Sequence, residues 1–412
     1  MKLILKILFF IIIIGCSSND SIDSEEKTSI NQVNPFRVKL GDTVTITGVN
    51  LDKISQFYFN HTHPSFSNLS VETSSFITKT NEKITIRVPN KNLFHEDIAI
   101  SAGSKTGGYD LKLVGFIPIK NDIDINQLQT LSDQVAIITD GKKLYKSEDG
   151  YYTWEVIYTI ENGYHITSFN FLDESNCWLG VYKEGTIPEV TIRYSSNGGT
   201  NFDTKFQIPY TPGQFIRKIK FTSLTKGFFV DNNQEMYVSD NNSFENIYDY
   251  YPNLSSLPFG KIKIWDFNAI NDDLIFLNPN EGNFLIKINF PNITYSEFDI
   301  GPETPIFFGD IGYTTSNIDL YKTTDLGNSW SKIDFLNRII LDYHFLNENI
   351  GFAIHNQNPS DPNSLEVFYK TIDGGDSWKD YWSPSSFYYN SHDLTTPKHV
   401  WLFGDLWKYI EE

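Results

Sequence analysis

Four short stretches place an acid or amide two residues after a hydroxyl and shortly before an aromatic ring. They contain Ser147, Asp149 and Trp154; Ser195, Asn197 and Phe202; Thr323, Asp325, Gly327 and Trp330; and Thr371, Asp373, Gly375 and Trp378. Recurring acids could serve two chemistries. A pair brought together from different parts of the chain could run glycoside hydrolysis, one as acid and one as base or nucleophile. Each could instead contribute to a calcium site, but one carboxylate per stretch falls far short of the roughly 6–8 oxygens calcium takes. Asp or Asn followed within two residues by Gly is turn chemistry. The side-chain oxygen accepts backbone N–H groups and glycine supplies φ > 0. The aromatic ring then opens the next strand and packs between sheets. These residues are therefore expected to be structural.

Other chemical candidates are sparse. His61 and His63 alternate as metal ligands on a strand would, but Pro64 follows at once and zinc needs further ligands. Cys177 lies in a strand-like Asn-Cys-Trp-Leu-Gly run and reads as a small buried hydrophobe. No catalytic residue, no metal and no cofactor are expected. Exposed aromatics are the better candidates for a ligand face: Tyr248, Tyr250 and Tyr251; Trp382, Tyr388 and Tyr389; and His355, at the start of a polar loop. Flat amphipathic rings suit protein loops or sugar rings.

The elements that must position these residues repeat. Val135, Trp178, Phe228, Ile275, Tyr313, Phe352 and Trp401 mark seven apolar strands at steps of 38 to 50 residues. That period, with about four short strands per step, is a β-propeller blade. After Trp401 only one more strand remains, so residues 114–119 are expected to supply the last blade's outer strand. The expectation is all-β: a seven-bladed propeller over 114–412, with six or eight blades as alternatives, preceded by a small Ig-like β-sandwich over 33–113. The sandwich is read from short strands and turn signals without helical periodicity.

Ahead of these, residues 1–15 carry Lys2 and Lys6 and then an apolar run too short to span a bilayer, which is a signal peptide. Residues 16–32 are polar and acidic, a flexible tether. The chain carries a net charge of −18; losing Lys2 and Lys6 leaves 31 cations against 51 acids, net −20. Such a surface repels nucleic acid and anionic membrane.

Three resemblances add to this reading. Ile13-Ile14-Gly15-Cys16 resembles the lipobox of bacterial lipoproteins, which implies a lipidated Cys16 as the sole membrane attachment and a place in the cell envelope, at the outer membrane. Thr45-Ile46-Thr47-Gly48-Val49-Asn50-Leu51, Phe57-Tyr58-Phe59-Asn60 and Thr85-Ile86-Arg87-Val88-Pro89 resemble the IPT/TIG domain, a spacer or contact module. The hydroxyl–acid–Gly–aromatic stretches resemble the Asp-box, or BNR repeat, of sialidases, sortilin-type receptors and Ycf48-like assembly factors. Sialidases are similar in carrying three substrate-clamping arginines and an Arg-Ile-Pro. Here the propeller region has only Arg193, Arg217 and Arg338, and no Arg-Ile-Pro. The resemblance therefore implies a monomeric, non-enzymatic, envelope-anchored module that binds or assembles a protein partner. A surface glycan-binding lipoprotein is the alternative, and a sialidase-like or other glycoside hydrolase is disfavoured.

Overall fold

Strand after strand in the N-terminal part alternates side chains at period two, as in Thr43–Val49, where Val44 and Ile46 point inward. A computed structural model describes residues 27–411 except 63, 65, 91, 104–107, 120–121, 209–210, 212, 242, 259, 281–283, 291–293, 301–302, 317–318, 336–339, 341, 357–365, 382–399 and 404. The signal peptide, Cys16, His63, Trp382, Tyr388 and Tyr389 lie outside the described residues. Two sheets form the N-terminal unit. One orders Ser29–Asn34, Thr43–Val49, Lys83–Arg87 and Phe76–Lys79. The other orders Arg37–Val38, Tyr109–Leu113, Asp97–Ser101, Gln56–His61 and Leu69–Glu72, its first pair parallel. Val44, Ile46, Phe57, Phe59, Ile84 and Ile100 meet in their shared core. Ser29–Asn34 pairs with Thr43–Val49, so residues 29–32 belong to the sheet and not to a tether. Ile30, 3% exposed, is the apolar contact that holds them there.

The rest of the chain is a succession of small antiparallel sheets in a propeller-like arrangement. Sheets 1 to 6 span residues 127–159, 164–208, 216–246, 264–298, 306–333 and 342–381, each with four strands in chain order. Sheet 7 joins Val400–Phe403 and Asp405–Ile410 to Gly115–Ile119, with Phe116 opposite Tyr409 and Ile119 opposite Leu406. The strand expected near 114–119 thus pairs with the last strand of the chain.

Apolar clusters fill the gaps between successive sheets. Trp178 stacks on Phe221 at 3.7 Å between sheets 2 and 3, and Phe276 meets Phe307 at 5.0 Å between sheets 4 and 5. Tyr313 stacks on Phe345 at 3.5 Å between sheets 5 and 6. Ile119 of sheet 7 packs with Leu128 and Ile138 of sheet 1. Each fully buried ring or aliphatic chain contributes about 1.5–3 kcal/mol. The recurring Gly before an aromatic has a steric reason. A Cβ on Gly227, Gly312 or Gly351 would come within 2.5–2.7 Å of the rings of Phe221, Phe307 or Phe345 on the neighbouring first strand.

Because each sheet is antiparallel, its first and third strands run the same way. The turns after the third strands, which hold the repeated acids, therefore lie at the end opposite to where the first strands begin.

Candidate functional site

The repeated acids sit in turns whose hydrogen bonds are satisfied internally. Asp149 accepts from the Ser147 hydroxyl at 2.9 Å and from the backbone N–H groups of Tyr152 and Thr153 at 3.0 Å. Asn197 accepts from Ser195 at 2.7 Å, and the N–H of Asn201 donates to it at 3.1 Å. Thr323 and Thr371 donate to Asp325 and Asp373, each at 2.7 Å. Gly199, Gly327 and Gly375 take φ of +82°, +74° and +93°, and Tyr151 holds the same place at +79°. Trp154, Phe202, Trp330 and Trp378 pack into the clusters between sheets 7 and 1, 1 and 2, 4 and 5, and 5 and 6. Lysines on the third strands reach across to these turns. Lys287 donates to the Leu326 carbonyl and Asn328 Oδ1 at 2.8 Å, and Lys322 to the Gly374 carbonyl at 3.0 Å. Among the described residues no group of three or more His, Cys, Asp and Glu could hold a metal ion.

The tyrosines 248, 250 and 251 do not make an exposed face. Tyr248 is buried, on the short helix Ile247–Tyr250, and its N–H is capped by Asn246. Tyr250 donates to Asp240, and Lys226 donates to the Tyr251 hydroxyl at 2.9 Å. The Tyr251 ring stacks on Phe290 at 4.2 Å. The three close the junction of sheets 3 and 4. His355 is half-buried on Gly351–Asn356, with Tyr369 6.5 Å away.

The opposite end presents a different group. The first strand of sheet 3, Ile216–Phe221, buries Ile216, Ile219 and Phe221, and that of sheet 4, Ile264–Asn271, buries Ile264, Phe267 and Ala269. Both ladders slip near their start, between Ile216 and Lys218 and between Ile264 and Asp266. The residues left out are Arg217 and Trp265. A slip of this kind re-aims a side chain, a device common beside binding sites. Here it brings the Arg217 guanidinium 4.9 Å from the Trp265 ring centre and lets it donate to the Trp265 carbonyl. Trp265 is 51% exposed.

Immediately inward, Lys218 pairs with Asp266 at 2.6 Å, and Thr304 donates to the other Asp266 oxygen at 2.6 Å. Each Asp266 oxygen thus carries one donor, and the carboxylate is held in an ion pair with Lys218. Glu303 reaches solvent, yet protein atoms surround it. That desolvation raises its carboxyl above the ordinary range and the charge on Asp266 adds to it, against a lowering hydrogen bond from Thr315. Lys220, two residues beyond Lys218 and half-buried, meets no carboxylate, carbonyl or hydroxyl among the described residues. Desolvation, and then the charge of Lys218, push its ammonium below the usual lysine range.

Sequence reasoning missed Trp265 and Lys220 as site residues and counted Arg217 only among the three arginines of the propeller region. The available signal was a break of phase. Ile216 and Ile219, like Ile264 and Phe267, stand three apart where a regular strand would put them two apart.

No protein-family model matches the chain, and no curated protein matches it. Among solved structures it is similar to YCF48 bound to D1 peptide, at 16% identity over 73% of this chain and 96% of that one, with a TM-score of 0.49. It is similar to YCF48 from Cyanidioschyzon merolae at 15% identity, covering 65% of this chain and 88% of that one, TM-score 0.47. It is also similar to an auxiliary nutrient binding protein from Bacteroides ovatus, at 8% identity over 87% and 86% of the two chains, TM-score 0.37.

Proposed function

We propose that this chain is a non-catalytic binding module of the cell envelope that engages a protein partner where the first strands of sheets 3 and 4 begin. In this reading the seven sheets close into a β-propeller, the two N-terminal sheets form an Ig-like spacer, and lipidated Cys16 ties the monomer to the outer membrane. The pairing of Gly115–Ile119 with Asp405–Ile410 and the packing of sheet 7 on sheet 1 support closure. The basic, apolar and Cys-terminated start of the sequence supports the anchor.

One observation carries the binding reading: Trp265 stands half out of the fold with Arg217 against its ring. Trp and Arg are the side chains that most often dominate protein interfaces. A sugar chain is better held by a row of flat faces, and among the described residues this end of sheets 3 and 4 offers one.

A photo-crosslinker placed at position 265 tests the assignment. It should capture one defined envelope protein, and Arg217→Ala should reduce the yield, while the same probe at exposed Ile187 should not capture it. Retention on a polysaccharide gel that is lost in Trp265→Ala would replace this reading with glycan binding. Equal capture from positions 265 and 187 would remove the site altogether.

A further inference from the structure

The first strands of sheets 3 and 4 carry a small cationic site inside a strongly acidic protein. Of its three cations, Arg217 lies against Trp265 and Lys218 is neutralised by Asp266 at 2.6 Å. Lys220 alone has no partner among the described residues, although protein crowds it on most sides. A desolvated ammonium without a counter-charge is costly to keep. Asp266 pairs with Lys218 and Thr304 instead. Glu303 is held by Thr315 and is pushed toward its neutral form by its surroundings.

Resting on the binding face proposed above, we infer that Lys220 receives a carboxylate from the partner: an acidic side chain or chain terminus that enters past Trp265 and Arg217. The alternation of the strand carries the geometry. Lys218 and Lys220 share one face of Ile216–Phe221, the face opposite buried Ile219 and Phe221. A ligand entering at Trp265 therefore meets the Lys218–Asp266 pair first and the unpaired ammonium next. A simple cation entering the same way would meet Arg217 and then the Lys220 ammonium, neither of them offset by a carboxylate among the described residues. The same order also gives discrimination: a partner carrying Gln in place of Glu would offer no charge to offset the desolvated ammonium.

The full chain, the acetylated peptide Ala-Glu-Ala amide and its Ala-Gln-Ala counterpart make the test, read by NMR of the lysine ε-methylenes and by calorimetry. The Glu peptide should shift the Lys220 signal and bind at least about tenfold more tightly than the Gln peptide. Lys220→Gln should abolish that preference, and Lys220→Arg should restore part of it, with melting temperature as the check on folding. A tri-galacturonate that moves Lys220 more than the Glu peptide does would overturn the peptide source. Equal binding of the Glu and Gln peptides, or an unchanged preference in Lys220→Gln, would overturn the carboxylate site. In that event, intact crosslinking from position 265 would still uphold the face itself, so the two failures can be told apart.

Discussion

Both oxygens of Asp149 are occupied within its own turn, by the hydroxyls of Ser147 and Thr153 and the N–H groups of Tyr152 and Thr153. Desolvation raises its pKa, but these donors outweigh it and the net effect is a lowered value. The donors of Ser377 and Thr371 likewise hold Asp373 down to about 2. A carboxylate with a depressed folded-state pKa stabilises the fold above its unfolded value, near 3.9, and loses that contribution as pH falls through the folded one. The acid side of the stability profile should therefore drop between about pH 4 and pH 2. Asp373→Asn should flatten the drop while keeping the turn, since Asn197 already fills the same role. Thermal melts across that range read the slope, and an unchanged slope in the variant would refute the assignment. Asp149→Ala leaves several donors unpaired and should cost about 1–3 kcal/mol at neutral pH, less in acid, as measured by denaturant unfolding. An enzyme that used these acids would lose activity without losing stability.

The strand Gly115–Ile119 is separated in sequence from its sheet by six other sheets, and Phe116 is one of its buried anchors. Phe116 is 2% exposed and lies 5.2–5.4 Å from the rings of Phe352 and Tyr409. Phe116→Ala should destabilise the protein by about 3–5 kcal/mol. Ending the chain before Val400 leaves the strand without a partner and should eliminate soluble monomer; a truncated monomer with an undiminished melting temperature would defeat the proposed closure. The pairing of this strand with the last one could be read in advance, because seven apolar landmarks recur at regular spacing and a final sheet short of strands must borrow one. The local chemistry was harder to read. The run 248–251 looks exposed because tyrosine suits either side of a surface, and only the fold shows it covering Phe290 and Asp240. Trp265 and Lys220 were obscured for a different reason. A ladder slip reverses which residues face inward, and its position depends on the neighbouring strand as much as on the residues themselves.

At the scale of the whole molecule, the N-terminal sheets lie across the seam between sheet 7 and sheet 1. Their core continues into Ile117, Trp407 and Ile410, and the His95 ring packs 4.3 Å from Tyr152 in the first repeated turn. At the centre, Lys408 of sheet 7 meets Glu96 at 3.4 Å, and Tyr152 of sheet 1 donates to Glu96 at 2.9 Å. One carboxylate of the N-terminal unit thus joins the last sheet to the first. Desolvation would raise the Glu96 pKa, but Lys408 and then Tyr152 outweigh it, and the net direction is downward. The sign is the same as for the turn acids: the link is complete above the unfolded glutamate value, near 4.3, and is lost as pH falls through the lower folded value. Glu96→Ala leaves the largely covered Lys408 ammonium without its carboxylate. The variant should lose about 1–3 kcal/mol, and at neutral pH it should behave as the native protein does in acid. Its radius of gyration by small-angle scattering should rise, and protease should cut faster near residue 114. Glu96→Gln, which still accepts from Tyr152, should fall between the two. Scattering and cleavage unchanged in Glu96→Ala would mean that the apolar contacts alone hold the N-terminal sheets on the seam, and that the acid response arises in the turns.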